Sequence, residues 1–327
     1  MAVLTYIQAI TQAMKEEMQQ NEKVFVLGED VGVKGGVFKA TEGLIEEFGE
    51  ERVIDTPLAE SAIAGVGIGA AMYGMRPVAE MQFADFIMPA VNQIISEAAK
   101  IRYRSNNDWH CPIVIRAPYG GGVHGGLYHS QSVEAVFANQ PGLKIVMPSS
   151  PSDAKGLLKA AIRDEDPVLF FEHKRGYRLL KEDVSEADDI LPIGQAAVKK
   201  EGSDVTIITY GLCVHFAQQA AEKLESEGVT TEILDLRTVY PLDQEAIIAA
   251  ASKTGKVLLV TEDNKEGSII SEVSAIINEH CLFDLDAPVR RLAAPEVPAM
   301  PFAPNLEKEF MMNPEKIERE LRDLASF

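Results

Sequence analysis

The chain has 327 residues, about twice the ~150 usual for one domain, so two domains are the first expectation. Its 31 basic and 50 acidic side chains leave a formal charge of −19, which argues against a nucleic-acid binder and favours small organic ligands or a basic protein partner. With 46% hydrophobic and 25% charged residues, the chain can bury a large core and is not disordered.

The first twenty residues, MAVLTYIQAITQAMKEEMQQ, read as an amphipathic helix, with Ile7, Ile10, Met14 and Met18 at helical spacing. They lack the basic start and small-residue cleavage site of a signal peptide. No apolar stretch approaches the roughly 18 residues needed to cross a bilayer. Cys111, Cys213 and Cys281 are far apart and form no C-x-x-C pair. A soluble, cytoplasmic protein without membrane or disulfide framework is expected.

Strands are expected at 24–28, 53–56, 77–81, 113–118, 144–148 and 168–173, with helices around 61–73, 86–104 and 152–164. Runs such as IVIRA are almost wholly apolar, as in a parallel sheet covered by helices on both faces. The pattern breaks between 175 and 203, where charge runs and a proline mark a boundary. A second βα series comes after it, with strands at 205–211, 230–236, 256–262 and 288–293 and a closing amphipathic helix. The expectation is α/β throughout: two consecutive parallel-sheet domains over 1–185 and 204–327, joined by a linker at 186–203.

Three segments carry candidate chemistry. Glu60 follows Pro57 and Leu58 at a strand-to-helix corner, where ligands commonly sit in parallel sheets. Among apolar small residues its carboxylate would be poorly solvated and its pKa raised. It is either a ligand-facing acid or a carboxylate serving its own helix dipole. Gly65, Gly67 and Gly69 lie within the helical run, so they read as close packing and not as a dinucleotide loop. In YGGGVHGGLYHSQS (119–132), five glycines permit close backbone approach to a ligand, and His124 and His129 could move protons or be structural. In AAIRDEDP (160–167), helix-end carbonyls with Asp164 and Asp166 could surround a cation or form a solvated turn. Phosphate-loop and nucleophile-elbow motifs are missing, as is the GDG motif that holds Mg²⁺ and diphosphate in thiamine enzymes.

GEDVG (28–32), DTPLAE (55–60), GGGVHGGLYHSQS (120–132), the stretch 140–174 and LDLRTVYPLD (234–243) resemble one family in the right order along the chain. It is the beta subunit of the thiamine-diphosphate-dependent decarboxylase component of 2-oxo acid dehydrogenase complexes. Segments 72–94 and 170–179 are more similar to bacterial branched-chain members than to pyruvate members. The resemblance implies a pyrimidine-binding domain followed by a transketolase C-terminal-like domain. It also implies an alpha subunit that holds the diphosphate and Mg²⁺, in a tetramer of two alpha and two beta chains. Other implied partners are the subunit-binding and lipoyl domains of the acyltransferase core.

By the same resemblance Glu60 hydrogen-bonds the aminopyrimidine ring nitrogen and favours the imino tautomer. Leu58, Gln82 and Phe86 neighbour the pyrimidine, and His129 assists acyl transfer to the lipoyl group. Ile113, Ala161, Ile162, Asp164 and Asp166 correspond to a potassium site. The implied reaction is oxidative decarboxylation of branched-chain 2-oxo acids. Pyruvate or acetoin subunits of the same kind, and a non-catalytic scaffold, are the alternatives.

Overall fold

The computed structural model describes residues 2–327, which divide into two compact units. Unit 1 comprises residues through Tyr119 together with Val136–Ile193. Unit 2 comprises Gly120–Ala135 and Gly194–Phe327. The glycine loop is thus grouped with the second unit, although it lies within the first half of the sequence. The expected 186–203 linker is also not irregular throughout, because it contains a strand, Ala197–Lys200.

Unit 1 holds the strands β1 (Ala2–Thr5), β2 (Val24–Gly28), β3 (Val53–Asp55), β4 (Arg76–Glu80), β5 (Val114–Tyr119), β6 (Lys144–Val146), β7 (Val168–His173) and β8 (Lys181–Val184). Six of them form a parallel run in the order β6-β7-β5-β4-β2-β3. β2, β5 and β7 are buried along their whole length, which explains their unbroken apolar sequences. The helix Tyr6–Gln20 starts after the Thr5 cap, whose hydroxyl accepts from Gln8 N–H while Gln8 returns a bond to Thr5 N–H. Residues 2–5 are therefore strand, not helix: β1 pairs antiparallel with β8.

Tyr6, Ile10, Met14 and Met18 are buried with Ala154, Leu157, Leu158, Ala161 and Ile162 of the helix Pro151–Arg163. Polar ends reinforce this packing. Lys155 and Lys159 pair with Glu16 at 2.8 and 2.7 Å, and Arg163 with Glu17 at 2.6 Å.

The helix expected at 86–104 is broken. It consists of a 3-10 segment (Ala84–Ala90), a π turn (Gln93–Glu97), a second 3-10 turn (Ala98–Lys100) and one α turn (Ile101–Arg104). Pro89 inside the first segment removes an N–H donor and interrupts the α ladder. The wide π turn then shifts the register of the turns from Ala98 onward.

In unit 2, β9 (Ala197–Lys200), β10 (Val205–Thr209), β11 (Thr231–Asp235), β12 (Thr238–Tyr240), β13 (Val257–Asn264) and β14 (Arg290–Ala294) succeed one another in sequence. Five make a sheet of order β14-β13-β10-β11-β9, parallel except at its β9 edge. Its core joins Val205, Ile207, Ile233, Leu258 and Val260 to the helices Cys213–Glu225 and Pro314–Ala325. No helix among the described residues is long and apolar enough to cross a membrane.

Candidate active site

In unit 1 the strand order reverses at β2: the chain goes from β2 to β3 on one side and resumes at β4 on the other. A crevice outside the carboxyl ends of strands is expected at such a point. Glu29 follows β2, Glu60 opens the helix after β3, and Gln82 follows β4. That helix, Glu60–Met72, packs on the 84–90 segment bearing Phe86. Gly67 permits the helix to lie close to the sheet, since a Cβ there would come 2.7 Å from Ile113 Cδ1.

Glu60 is half-buried, and its carboxylate makes no side-chain hydrogen bond or ion pair among the described residues. The poor solvation expected from the surrounding small residues is therefore incomplete in this chain. Nearby negative charge is nevertheless evident. Partial burial, then the carboxylates of Asp30 and Glu60, raise the Glu29 carboxyl above its ordinary range. The loop that carries Glu29 is tied to β3 by Gly32 N–H, which donates to Asp55 Oδ1 at 2.6 Å.

Phe86 belongs to an aromatic chain. Phe83 meets it edge-on at 5.6 Å between centroids, Phe38 meets Phe83 at 5.4 Å, and the Lys174 ammonium lies 5.6 Å from the Phe83 ring centre. Leu58 is 70% exposed and offers an open apolar surface beside Glu60. Half-buried carboxylate, amide and aromatic edge suit a flat nitrogen heterocycle with a ring N–H to donate.

Beneath this crevice, Arg116 is fully buried between two acids. It reaches Glu172 through Nε at 2.6 Å and Nη2 at 2.7 Å, and Glu80 through Nη1 at 2.7 Å. Tyr177 donates to Glu172 Oε2 at 2.6 Å. Burial raises the Glu80 carboxyl, and Glu172 raises it further, against the pull of Arg116. The network ties together β4, β5 and β7.

His129 lies in unit 2, half-buried just after the short turn Gly126–Tyr128. The loop closes on itself, with Gly120 N–H donating to Gln131 O at 3.0 Å. Gly125 is required for this path, because a Cβ there would come 2.6 Å from His129 O and 2.7 Å from His129 Cβ. His124 has positive φ and sits on Glu307.

The five residues of the expected cation site do meet in unit 1, but other groups already engage them. Ile113 O accepts from Val168 N–H at 2.9 Å, and Ala161 O from Asp164 N–H at 3.3 Å. Arg76 Nη1 donates to Ile162 O at 3.0 Å and Asp164 O at 2.9 Å. Lys144 Nζ lies 2.7 Å from Asp164 Oδ2 and 3.3 Å from Asp166 Oδ2, and Arg102 pairs with Asp166 at 2.6 Å. Three side-chain cations thus occupy the surroundings of this turn.

Residues 2–179 match the family described as "Transketolase, pyrimidine binding domain", and residues 194–317 match "Transketolase, C-terminal domain". The chain is 78% identical over 327 residues, all of both chains, to the 2-oxoisovalerate dehydrogenase subunit beta of Bacillus subtilis. The chain belongs to the beta-subunit family of 2-oxo acid dehydrogenases. It is also 50% identical over 303 residues to the pyruvate dehydrogenase E1 component subunit beta of the same organism, covering 93% of each chain.

Among solved structures, a split-gene transketolase described as an inactive beta4 tetramer superposes with a TM-score of 0.80 at 24% identity, covering 99% of this chain and 98% of that one. A transketolase from Pichia stipitis superposes with a TM-score of 0.73 at 16% identity, covering 100% of this chain and 46% of that one. At these identities the likeness concerns the fold alone. It is the α/β arrangement of a transketolase-like beta subunit, with the pyrimidine-binding domain first.

Glu29, Phe83 and Phe38 also border the crevice of this beta subunit. Glu29 stands in GEDVG, yet nothing local to that motif reveals that its carboxylate feels Glu60, 31 positions away.

Proposed function

We propose that the chain is the beta subunit of a branched-chain 2-oxo acid dehydrogenase. In this reading it binds the pyrimidine half of thiamine diphosphate and acts in the cytoplasm with an alpha subunit. The observation that carries the reading is the full-length 78% identity to a 2-oxoisovalerate dehydrogenase beta subunit, against 50% to a pyruvate dehydrogenase one. Residues 1–185 form the pyrimidine-binding part and 204–327 the transketolase C-terminal-like part. The alpha chain, two copies with two beta chains, supplies the diphosphate and Mg²⁺ site for which this sequence has no GDG motif.

Bound thiamine diphosphate supplies the carbon nucleophile for the keto group and the electron sink for the pair left by carbon dioxide. Glu60 does the decisive work of this chain. Its carboxylate lacks a side-chain cation partner and is free to accept a ring N–H, holding that proton on the pyrimidine nitrogen. Glu29 adds negative charge beside it. Phe86, Leu58 and Gln82 orient the ring, and Phe86 with Phe83 keeps water from its face. His129 assists acyl transfer to the lipoyl group of the acyltransferase, by positioning or protonating the acceptor.

The acidic surface suits the basic subunit-binding domain of the acyltransferase core. A potassium ion at Ile113, Ala161, Ile162, Asp164 and Asp166 remains part of the proposal as a structural ligand. Carbonyl oxygens retain a second lone pair after one hydrogen bond, but Arg76, Lys144 and Arg102 compete for the charge. Replacing potassium by choline lowers the melting temperature if the ion binds; an unchanged value removes it.

The decisive experiment is reconstitution with the alpha chain and assay on 3-methyl-2-oxobutanoate and pyruvate. Preference for the branched substrate is expected. Equal or faster pyruvate turnover returns the chain to the pyruvate group, and no decarboxylation of either acid favours the scaffold reading.

A further inference from the structure

The glycine loop Gly120–Ala135 is held by side chains far away in sequence. Gly121 N–H donates to Glu262 Oε1 at 2.6 Å. His124 N–H donates to Glu307 Oε1 at 3.1 Å, and His124 Nδ1 lies 2.5 Å from Glu307 Oε2. Both acids are almost fully buried, at 7% and 4% exposure, while His124 itself is exposed. At the far end of the loop, Glu134 accepts from Tyr210 O–H at 2.8 Å, and that hydroxyl lies 2.7 Å from Thr261 Oγ1, next to Glu262 in β13.

Packing brings the same partners close. A Cβ on Gly121 would come 2.2 Å from Met300 Cε, and one on Gly126 3.3 Å from the Phe302 ring. Five glycines leave this segment with large conformational freedom when unpinned. Backbone N–H groups held by carboxylates are stronger restraints than neutral pairs. The bond from Gly120 to Gln131 closes the base of the loop, and the groups outside it hold the path between, on which His129 lies.

We propose that Glu262 and Glu307 are positioning residues that clamp the His129 loop in a single conformation for acyl transfer. They act through Gly121 and His124 and do not touch substrate. The proposal rests on the role given to His129 above. A clamp of this kind affects the step that uses the loop more than the binding of the 2-oxo acid. Its first requirement at position 262 is a hydrogen-bond acceptor, whose negative charge strengthens the bond.

The test uses the reconstituted alpha–beta enzyme with Glu262→Ala, Glu262→Gln and Glu307→Ala. Hydrogen exchange of peptides spanning 120–135 is read alongside kcat and KM for reductive acylation of a lipoyl domain. Glu262→Ala is expected to speed exchange in the loop and lower kcat about tenfold or more, with KM for the 2-oxo acid unchanged. Glu262→Gln, which keeps an acceptor oxygen, is expected to restore both to within about threefold of the parent. Unchanged exchange in Glu262→Ala, or a glutamine variant no better than alanine, overturns the clamp. If Glu262→Ala does not assemble, Glu307→Ala decides by the same exchange and kcat readings. Should the unsubstituted enzyme decarboxylate no 2-oxo acid, the functional reading falls, and loop exchange still decides the clamp.

Discussion

Arg116 and Glu172 form a wholly buried bidentate pair, with Nε and Nη2 each within 2.7 Å of a carboxylate oxygen. The same guanidinium also serves Glu80, so one positive charge answers two acids. Burial of Arg116 opposes its charge, while Glu172 and then Glu80 favour it and carry its pKa upward.

Removing that charge leaves two carboxylates facing one another out of water. Arg116→Met is expected to destabilise unit 1 by about 3–5 kcal/mol, because breaking a buried pair costs more than the pair contributes. Chemical denaturation of the purified chain checks this. A loss below about 1 kcal/mol would mean that water reaches the acids.

Glu60→Gln is expected to keep the fold and assembly with the alpha chain, because the carboxylate makes no side-chain ion pair within the described residues. Decarboxylation is expected to drop by about 100-fold or more, the range for loss of a positioned acid–base group. Stopped-flow or dye-reduction rates measure it. A variant as fast as the parent contradicts the role given to this acid.

Gly125→Ala places a methyl group within 2.7 Å of the His129 backbone and side chain. The loop must shift to admit it. Lipoyl acylation is expected to slow by about tenfold to 100-fold, consistent with the cost of a displacement near 1 Å. Thiamine diphosphate affinity of the assembled enzyme, read by calorimetry, should stay at the parental value, since the proposed grip on the pyrimidine gives Gly125 no part.

Glu134 is fully buried beside Asp263 and Glu262, and burial followed by the charge of Asp263 pushes its carboxyl up to about 8. Asp263 is itself raised to about 6, mainly by burial. An acid whose folded pKa exceeds its unfolded value stabilises the fold fully below the unfolded pKa of 4.5. That contribution is lost as pH rises towards 8. Unit 2 should therefore weaken between those limits. Glu134→Gln should blunt the loss, so that melting temperatures of parent and variant diverge between 4.5 and about 8 on the pH scale. Parallel melting curves across that interval would show that the Glu134 carboxyl titrates alike in the folded and unfolded states.

The proposed docking to a basic subunit-binding domain should weaken as salt rises, because exposed charges more than about 8–10 Å apart are screened near physiological ionic strength. Surface plasmon resonance at low salt and at 0.5 M reads this directly. Equal affinities would make the contact apolar.

Much of the architecture is legible in the chain. VFVLG, IVIRAP and VLFFEH are uninterrupted apolar runs, so strands buried on both faces follow from their composition alone. The short strands AVLT, KEDV and AVKK carry no such signal. Their pairing comes from distant partners, Ala2 with Val184 and Thr5 with Lys181 for β1 and β8, and from the free edge of β11 for β9. The break at 84–104 was also hidden, because its apolar spacing mimics one helix while Pro89 and the π turn divide it.

Local pattern pointed to Glu60 and His129, and the order of family motifs along the chain added Leu58, Gln82 and Phe86. Tertiary structure alone decided what surrounds them. Glu29 feels Glu60 because the carboxyl ends of β2 and β3 are neighbours. Glu262 and Glu307 reach the glycine loop across 141 and 183 positions. Local composition encodes propensity and pattern, whereas a carboxylate's partner depends on which distant segments the core brings into contact.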